Sequence, residues 1–202
     1  MRRTAEDAEK TRLALLQAAL MSFESKGWRG ATFEHIAERA GVTRGALNHH
    51  FRSKTDLLSA ALEWGWRTYG NRLFTDDLPE NPAVKDSIRW LTDLLTGYVT
   101  LLRKDDQFRA LASTTVLVAP QATDTGDAKT HALDAWKNRI ADAAVLQTPR
   151  QAPAPSTETV AGMVLTLLQG LTVTAVTRPH DLPHPDDLDA AMSALVRGLL
   201  NT

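Results

Sequence analysis

Thr43-Arg44-Gly45-Ala46 opens a stretch whose residue types suit a nucleic-acid groove. Arg44 carries a fork of N–H donors that matches guanine O6 and N7, and Gly45 and Ala46 are small enough to let a helix backbone approach base edges. Asn48 can hydrogen-bond a phosphate or an adenine edge, and His49 and His50 come next on the same stretch. Thr32, Ser53 and Lys54 are suited to flanking phosphates, contacts that orient a protein without reading sequence. The plain alternative for Arg44 and Lys54 is a solvated surface charge. Leu47 and Phe51 read as core residues that hold the segment in place.

Other chemistries find less support. His49 and His50 are adjacent, so on a helix they point about 100° apart, and no third ligand is evident. His180 and His184 stand near Asp186 and Asp187, but Pro179, Pro183 and Pro185 turn that segment into a surface loop. No metal and no cofactor is expected. The chain has no Gly-rich phosphate loop, no Gly-x-Ser-x-Gly elbow, no His-Glu-x-x-His and no cysteine. Catalysis would need an unrecognised constellation, so a non-enzyme is expected.

The 202 residues, 43% apolar and 23% charged, are enough to fill a core and exclude wholesale disorder. Met1 to Asp56 hold ten Lys/Arg against seven Asp/Glu, whereas the rest of the chain holds 13 against 17. A mildly basic head on an acidic body fits a polyanion-binding module joined to a solvated one. Arg2-Arg3 could form a basic arm reaching DNA or a disordered terminus. Thr4 to Arg12 adds five charges and no apolar core of a signal peptide, so a cytoplasmic location is expected. Thr159 to Thr177 is uncharged but includes five Thr, one Gln and two Gly, which favours a buried helix over a membrane span.

These residues need helices to position them. Leu13, Leu16, Leu20 and Phe23 predict a first helix over Arg12 to Lys26, stopped by Gly27. Thr32 can cap a second with Phe33, Ile36, Ala37 and Ala40 inward, ended by Gly41, and Thr43 can cap a third. With only Val42 between that Gly and that Thr, the two short helices must meet around a tight turn, a helix-turn-helix. Ser53 and Asp56 resemble a capping box that opens a fourth helix through Leu57, Leu58, Ala61 and Leu62. Asn81-Pro82 can start a long helix through Ile88, Leu91, Leu95, Val99 and Leu102. Further helices are expected over about Asp106 to Val118, Asp127 to Leu146, Glu158 to Thr177 and Asp186 to Leu200, with loops at Pro120 to Gly126 and Pro149 to Pro155.

The run from Thr32 through Ile36-Ala37, Ala40-Gly41-Val42-Thr43-Arg44-Gly45-Ala46-Leu47, then His50-Phe51 and Lys54-x-Asp-Leu-Leu, resembles the DNA-binding domain of the TetR/AcrR family of bacterial transcriptional repressors. The resemblance covers the first quarter to third of the chain. It implies an all-α homodimer whose C-terminal domain binds a small-molecule effector, and a repressor that leaves a double-stranded operator when the effector arrives. Asn48 stands where the family usually has a DNA-contacting Tyr, so no operator preference carries over at that position. An activator or adaptor of the same fold is the alternative, since the direction of control depends on operator position.

The expected architecture is therefore all-α, with about nine helices: a helix-turn-helix DNA-binding domain over residues 1–56 and a helical effector-binding and dimerisation domain over residues 57–202. The last helix carries an apolar stripe of Leu188, Ala191, Met192, Leu195, Val196 and Leu199. The uncharged Thr159 to Thr177 helix needs covering on nearly all faces. A homodimer through the last two helices and a near-palindromic operator are expected. The resemblance places an effector pocket among the middle helices, with Trp90, Leu94, Tyr98, Trp136, Met163, Leu167 and Gln169 as candidate lining.

Overall fold

The computed structural model of the chain describes residues 5–74, 83–122, 126–144 and 155–200. Among the described residues it contains nine α-helices and no strand: α1 (Ala5–Gly30), α2 (Phe33–Arg39), α3 (Arg44–His50), α4 (Lys54–Leu73), α5 (Val84–Lys104), α6 (Asp106–Ser113), α7 (Gly126–Ala143), α8 (Thr157–Thr177) and α9 (Pro185–Leu199). The expected starting cap Asn81-Pro82, the arm Arg2-Arg3, and most of the two expected loops lie outside the described residues.

The helices gather into two compact units, one from Met1–Thr68 with Asp105–Thr130, the other from Tyr69–Lys104 with His131–Thr202. This division differs from a boundary at residues 56 and 57. The reason is that α6 packs along α1 and so belongs with the head. Arg109 of α6 sets its Nε 3.2 Å from Glu24 Oε1 of α1, with both side chains largely shielded.

In the first unit Leu15, Leu16, Leu20 and Phe23 of α1 are fully buried with Ile36, Leu47, Leu57, Leu58 and Phe108. The spacing of the α1 residues is the 3.6-residue period of one helical face. Gly27 breaks α1 with φ 66°, a left-handed conformation that glycine takes without steric cost. The helix starts at Ala5, seven residues before the predicted Arg12. Its first turns are polar all round and carry no apolar period, but Glu6 and Asp7 suit the N-terminal dipole and Lys10 pairs with Glu6 at 3.1 Å. Beyond α6 the chain does not continue as one α-helix to Val118. Thr114–Val118 widen into a π turn and Ala119–Gln121 tighten into a 3-10 turn around Pro120, which has no N–H for an α bond. Trp66 Nε1 donates to Thr115 Oγ1 at 3.0 Å within this region.

In the second unit α5 buries Trp90, Leu91, Leu94, Leu95, Tyr98, Val99 and Leu102, and it packs against α8 and α9. Tyr98 and Thr172 form a buried hydrogen bond of 2.7 Å. Thr172 Oγ1 donates its own proton to Leu168 O at 2.8 Å, so the phenol donates to Thr172. The α8 helix is long and apolar enough to cross a membrane by length and composition. Only one face of it is packed within this unit: Val160, Ala161, Val164, Leu168, Leu171, Thr172 and Ala175.

Candidate nucleic-acid interface

The turn between α2 and α3 is closed by backbone bonds that the sequence sets up. Gly41 takes φ 68°, its N–H donates to Glu38 O at 3.0 Å, and the Val42 N–H reaches Ala37 O at 3.0 Å. Thr32 Oγ1 accepts from the His35 N–H at 3.3 Å, and Thr43 Oγ1 accepts from the Ala46 N–H at 3.1 Å. Each cap satisfies an orphan amide of a short helix; the Thr43 hydroxyl keeps its proton to donate outward, whereas the Thr32 hydroxyl also serves the Glu34 carboxylate.

Leu47 and Phe51 are buried, which fixes the roll of α3. Thr43, Arg44, Gly45, Asn48 and His49 are consequently exposed, while Ala46 and His50 are half-buried. The sequence candidates thus form one solvent-facing strip along α3, with the small Gly45 directly after Arg44 in its first turn. Ser53 and Asp56 cap α4 reciprocally: the Ser53 N–H donates to Asp56 Oδ2 at 3.1 Å and the Asp56 N–H to Ser53 Oγ at 3.0 Å. Asp fills the role usually taken by Glu or Gln.

Two charged candidates have partners that no sequence period announces. The Nη1 of Arg44 donates to Oε1 of Glu34 across the turn, with both side chains well exposed. The Glu34 carboxyl is held below its ordinary range, by hydrogen bonding to its own backbone amide against some desolvation, then by the Arg44 charge and the Thr32 hydroxyl. Lys54 is half-buried rather than fully solvated. Its Nζ lies 4.3 Å from the centroid of the Trp28 ring and donates to Trp28 O, and burial pushes its pKa down. Trp28 in turn stacks on Phe23 at 5.8 Å. Glu34 and Trp28 were not legible as site residues because their partners lie ten and 26 positions away, beyond any helical repeat.

The candidate effector lining is not brought together as one set. Trp90, Leu94, Tyr98 and Trp136 are buried in the second unit. Phe74, absent from the sequence candidates, joins them: its ring is 5.6 Å from Trp90 and 4.8 Å from Trp136, and Tyr98 is 6.4 Å from Trp136. Met163, Leu167 and Gln169 lie elsewhere. Met163 is 52% exposed, Gln169 is exposed and Leu167 is half-buried, because the α8 face that packs inward is the one carrying Val160, Val164 and Leu168. Met163 and Leu167 line shallow surface depressions with Thr166, Gly170, Leu195 and Leu199.

Residues 15–61 match the sequence model described as bacterial regulatory proteins, tetR family. The chain is 48% identical over 61 residues to the HTH-type transcriptional regulator SrpR of Pseudomonas putida, covering 30% of this chain and 29% of that protein. It is 44% identical over 63 residues to the regulator TtgR of Pseudomonas putida, covering 31% and 30%. The aligned stretch thus spans under a third of either relative's length. Over nearly the whole chain the fold is similar to that of NalD, the secondary repressor of the MexAB-OprM multidrug efflux pump in Pseudomonas aeruginosa, with TM-score 0.70, 23% identity and coverage of 96% of this chain and 97% of that one. It is similar as well to AibR, solved with isovaleryl coenzyme A and operator DNA, with TM-score 0.68, 17% identity and coverage of 94% and 98%. A capped helix-turn-helix whose sequence matches the tetR-family model over residues 15–61 thus sits in an all-helical fold similar to that of NalD and AibR.

Proposed function

We propose that the protein is a cytoplasmic, non-enzymatic transcriptional repressor that binds a near-palindromic operator as a homodimer and leaves it when a small-molecule effector binds. The observation that carries this reading is the exposed strip of Thr43, Arg44, Gly45, Asn48 and His49 on a helix anchored from behind by Leu47 and Phe51. A helix so presented fits the major groove with its N-terminal residues at the base edges. The hydroxyls of Thr32 and Ser53 and the ammonium of Lys54 supply phosphate contacts on either side, and His50 sits at the edge of the strip.

The buried aromatics Phe74, Trp90, Tyr98 and Trp136, with Leu94, are the proposed effector region, suited to a ligand with a large apolar part. An effector releases DNA only by binding the released shape more tightly than the DNA-bound one. The outer faces of α8 and α9 are proposed to meet their symmetry mates. Thr166, Gly170 and Thr174 among the apolar residues allow close helix approach, and the uncharged face fits a second copy of itself.

Selection of duplexes from a random library by the purified intact protein tests the reading. The expected result is an enriched sequence with two related half-sites, bound with steep salt dependence. Failure to enrich any sequence refutes it.

A further inference from the structure

We propose that Glu34 is a specificity-determining residue that holds Arg44 for base readout and keeps its guanidinium off the phosphate backbone; this rests on the DNA-binding reading above. Glu34 lies in the first turn of α2 and Arg44 opens α3, so their ion pair bridges the turn at the outer rim of the exposed strip. An exposed arginine at such a rim has two competing uses. It can read a base edge, or it can neutralise whichever phosphate is nearest, and the second use carries no sequence information.

The carboxylate engages Nη1 of Arg44. That contact leaves the Nε–Nη2 edge, with its two parallel N–H bonds, to face the guanine acceptors O6 and N7. A phosphate approaching Nη1 would instead have to displace Glu34 or sit against its negative charge, and like charges at that separation repel. Base edges carry only partial charge and are penalised far less. Because the Glu34 carboxyl titrates below its ordinary range, the negative charge is constant throughout neutral pH. The other charges on α2, Glu38 and Arg39, are exposed and leave the local balance near zero, so the Glu34 charge is not swamped. Glu34 therefore acts as a positioning residue through Arg44. Its cost to nonspecific attraction is also its contribution to discrimination.

The test uses the intact protein, the duplex it enriches from a random library, and a scrambled duplex of equal length and composition. Glu34→Gln and Glu34→Ala are expected to tighten binding to the scrambled duplex several-fold and to steepen its salt slope by about one. Binding to the enriched duplex gains less, so the ratio between the two falls by about tenfold. In an Arg44→Ala background the same substitutions are expected to leave the ratio nearly unchanged. An equal change on both duplexes, or the same fall in ratio without Arg44, overturns the role of Glu34. A wild-type protein that enriches no sequence instead refutes the DNA-binding reading itself, so the two failures are distinguishable.

Discussion

Lys54 enters the first turn of α4 with its ammonium against the ring and carbonyl of Trp28, so only part of its donor capacity is left to face a phosphate. If it served DNA alone, Lys54→Ala would weaken binding to all sequences alike and leave folding stability untouched. The geometry instead predicts a loss of about 1–2 kcal/mol in urea unfolding, from the cation–π contact and the charged hydrogen bond. A double-mutant cycle with Trp28→Phe should return a coupling of about 0.5–1 kcal/mol, and additive effects would refute the contact. Tyr98 offers the converse case of a buried group that titrates. Burial raises its phenol far above the ordinary range, against a smaller opposing effect of Thr172. Between the unfolded pKa of about 10 and the higher folded one, the unfolded state holds fewer protons than the native state, so stability falls as pH rises. Tyr98→Phe should therefore cost about 1 kcal/mol at neutral pH, through the unmet acceptor on Thr172, and the deficit should narrow above about pH 10. Unfolding curves of both proteins across that range check it, and a deficit that stays constant would sink the assignment.

At the scale of elements, α4 and α6 meet where Gly65 faces Leu111. A Cβ added at Gly65 would lie 2.5 Å from Leu111 Cδ1, and Leu111 is fully buried and has little room to retreat. Alanine gains about 1 kcal/mol of helix propensity over glycine, whereas overpacking a core costs about 1–3 kcal/mol. Gly65→Ala is expected to destabilise by about 1 kcal/mol net. Combined with Leu111→Ala it should be less harmful than the sum of the single changes, since the new methyl then enters the space that Leu111 vacates. Strict additivity would show that the helices are free to move apart. This contact also marks what sequence could and could not disclose. The helix-turn-helix was legible because its signals are local: Thr32 and Thr43 as caps, Gly41 at a positive φ, Ser53 with Asp56. The association of α6 with α1 and α4 was not, because Glu24 with Arg109 and Gly65 with Leu111 join residues far apart in the chain. In α8 the apolar residues fall on both faces, with no charge after Glu158 to mark the outside. Periodicity therefore could not separate Val164 and Leu168, which pack inward, from Met163 and Leu167, which do not.

For the whole molecule, the same ambiguity in α8 becomes the argument for a pair. The stripe expected on α9 divides in the structure: Leu188, Met192 and Val196 are buried, while Ala191 and Leu195 are exposed and Leu199 is half-buried. The outward residues of α9 and those of α8 share a depression lined by Met163, Leu167, Leu195, Gly198 and Leu199, so they form one apolar surface rather than two. A lipid face would not require five threonines between residues 159 and 177, four of which bond back to their own helix at Gly162, Leu168, Gly170 and Val173. A second copy would cover the surface and bring two α3 helices into one molecule. Linked half-sites gain about 10²–10⁴-fold in affinity over a single one through effective concentration alone. Met163→Glu together with Leu195→Glu places two like charges per chain into that surface without touching the inward core. The expected outcome is unchanged helical content, a monomeric mass by light scattering, and binding to a two-half-site duplex reduced by at least about 100-fold, to the level of a single half-site. Retention of the dimeric mass would place the pairing surface elsewhere. A monomer that still bound the full duplex with undiminished affinity would separate DNA recognition from symmetry.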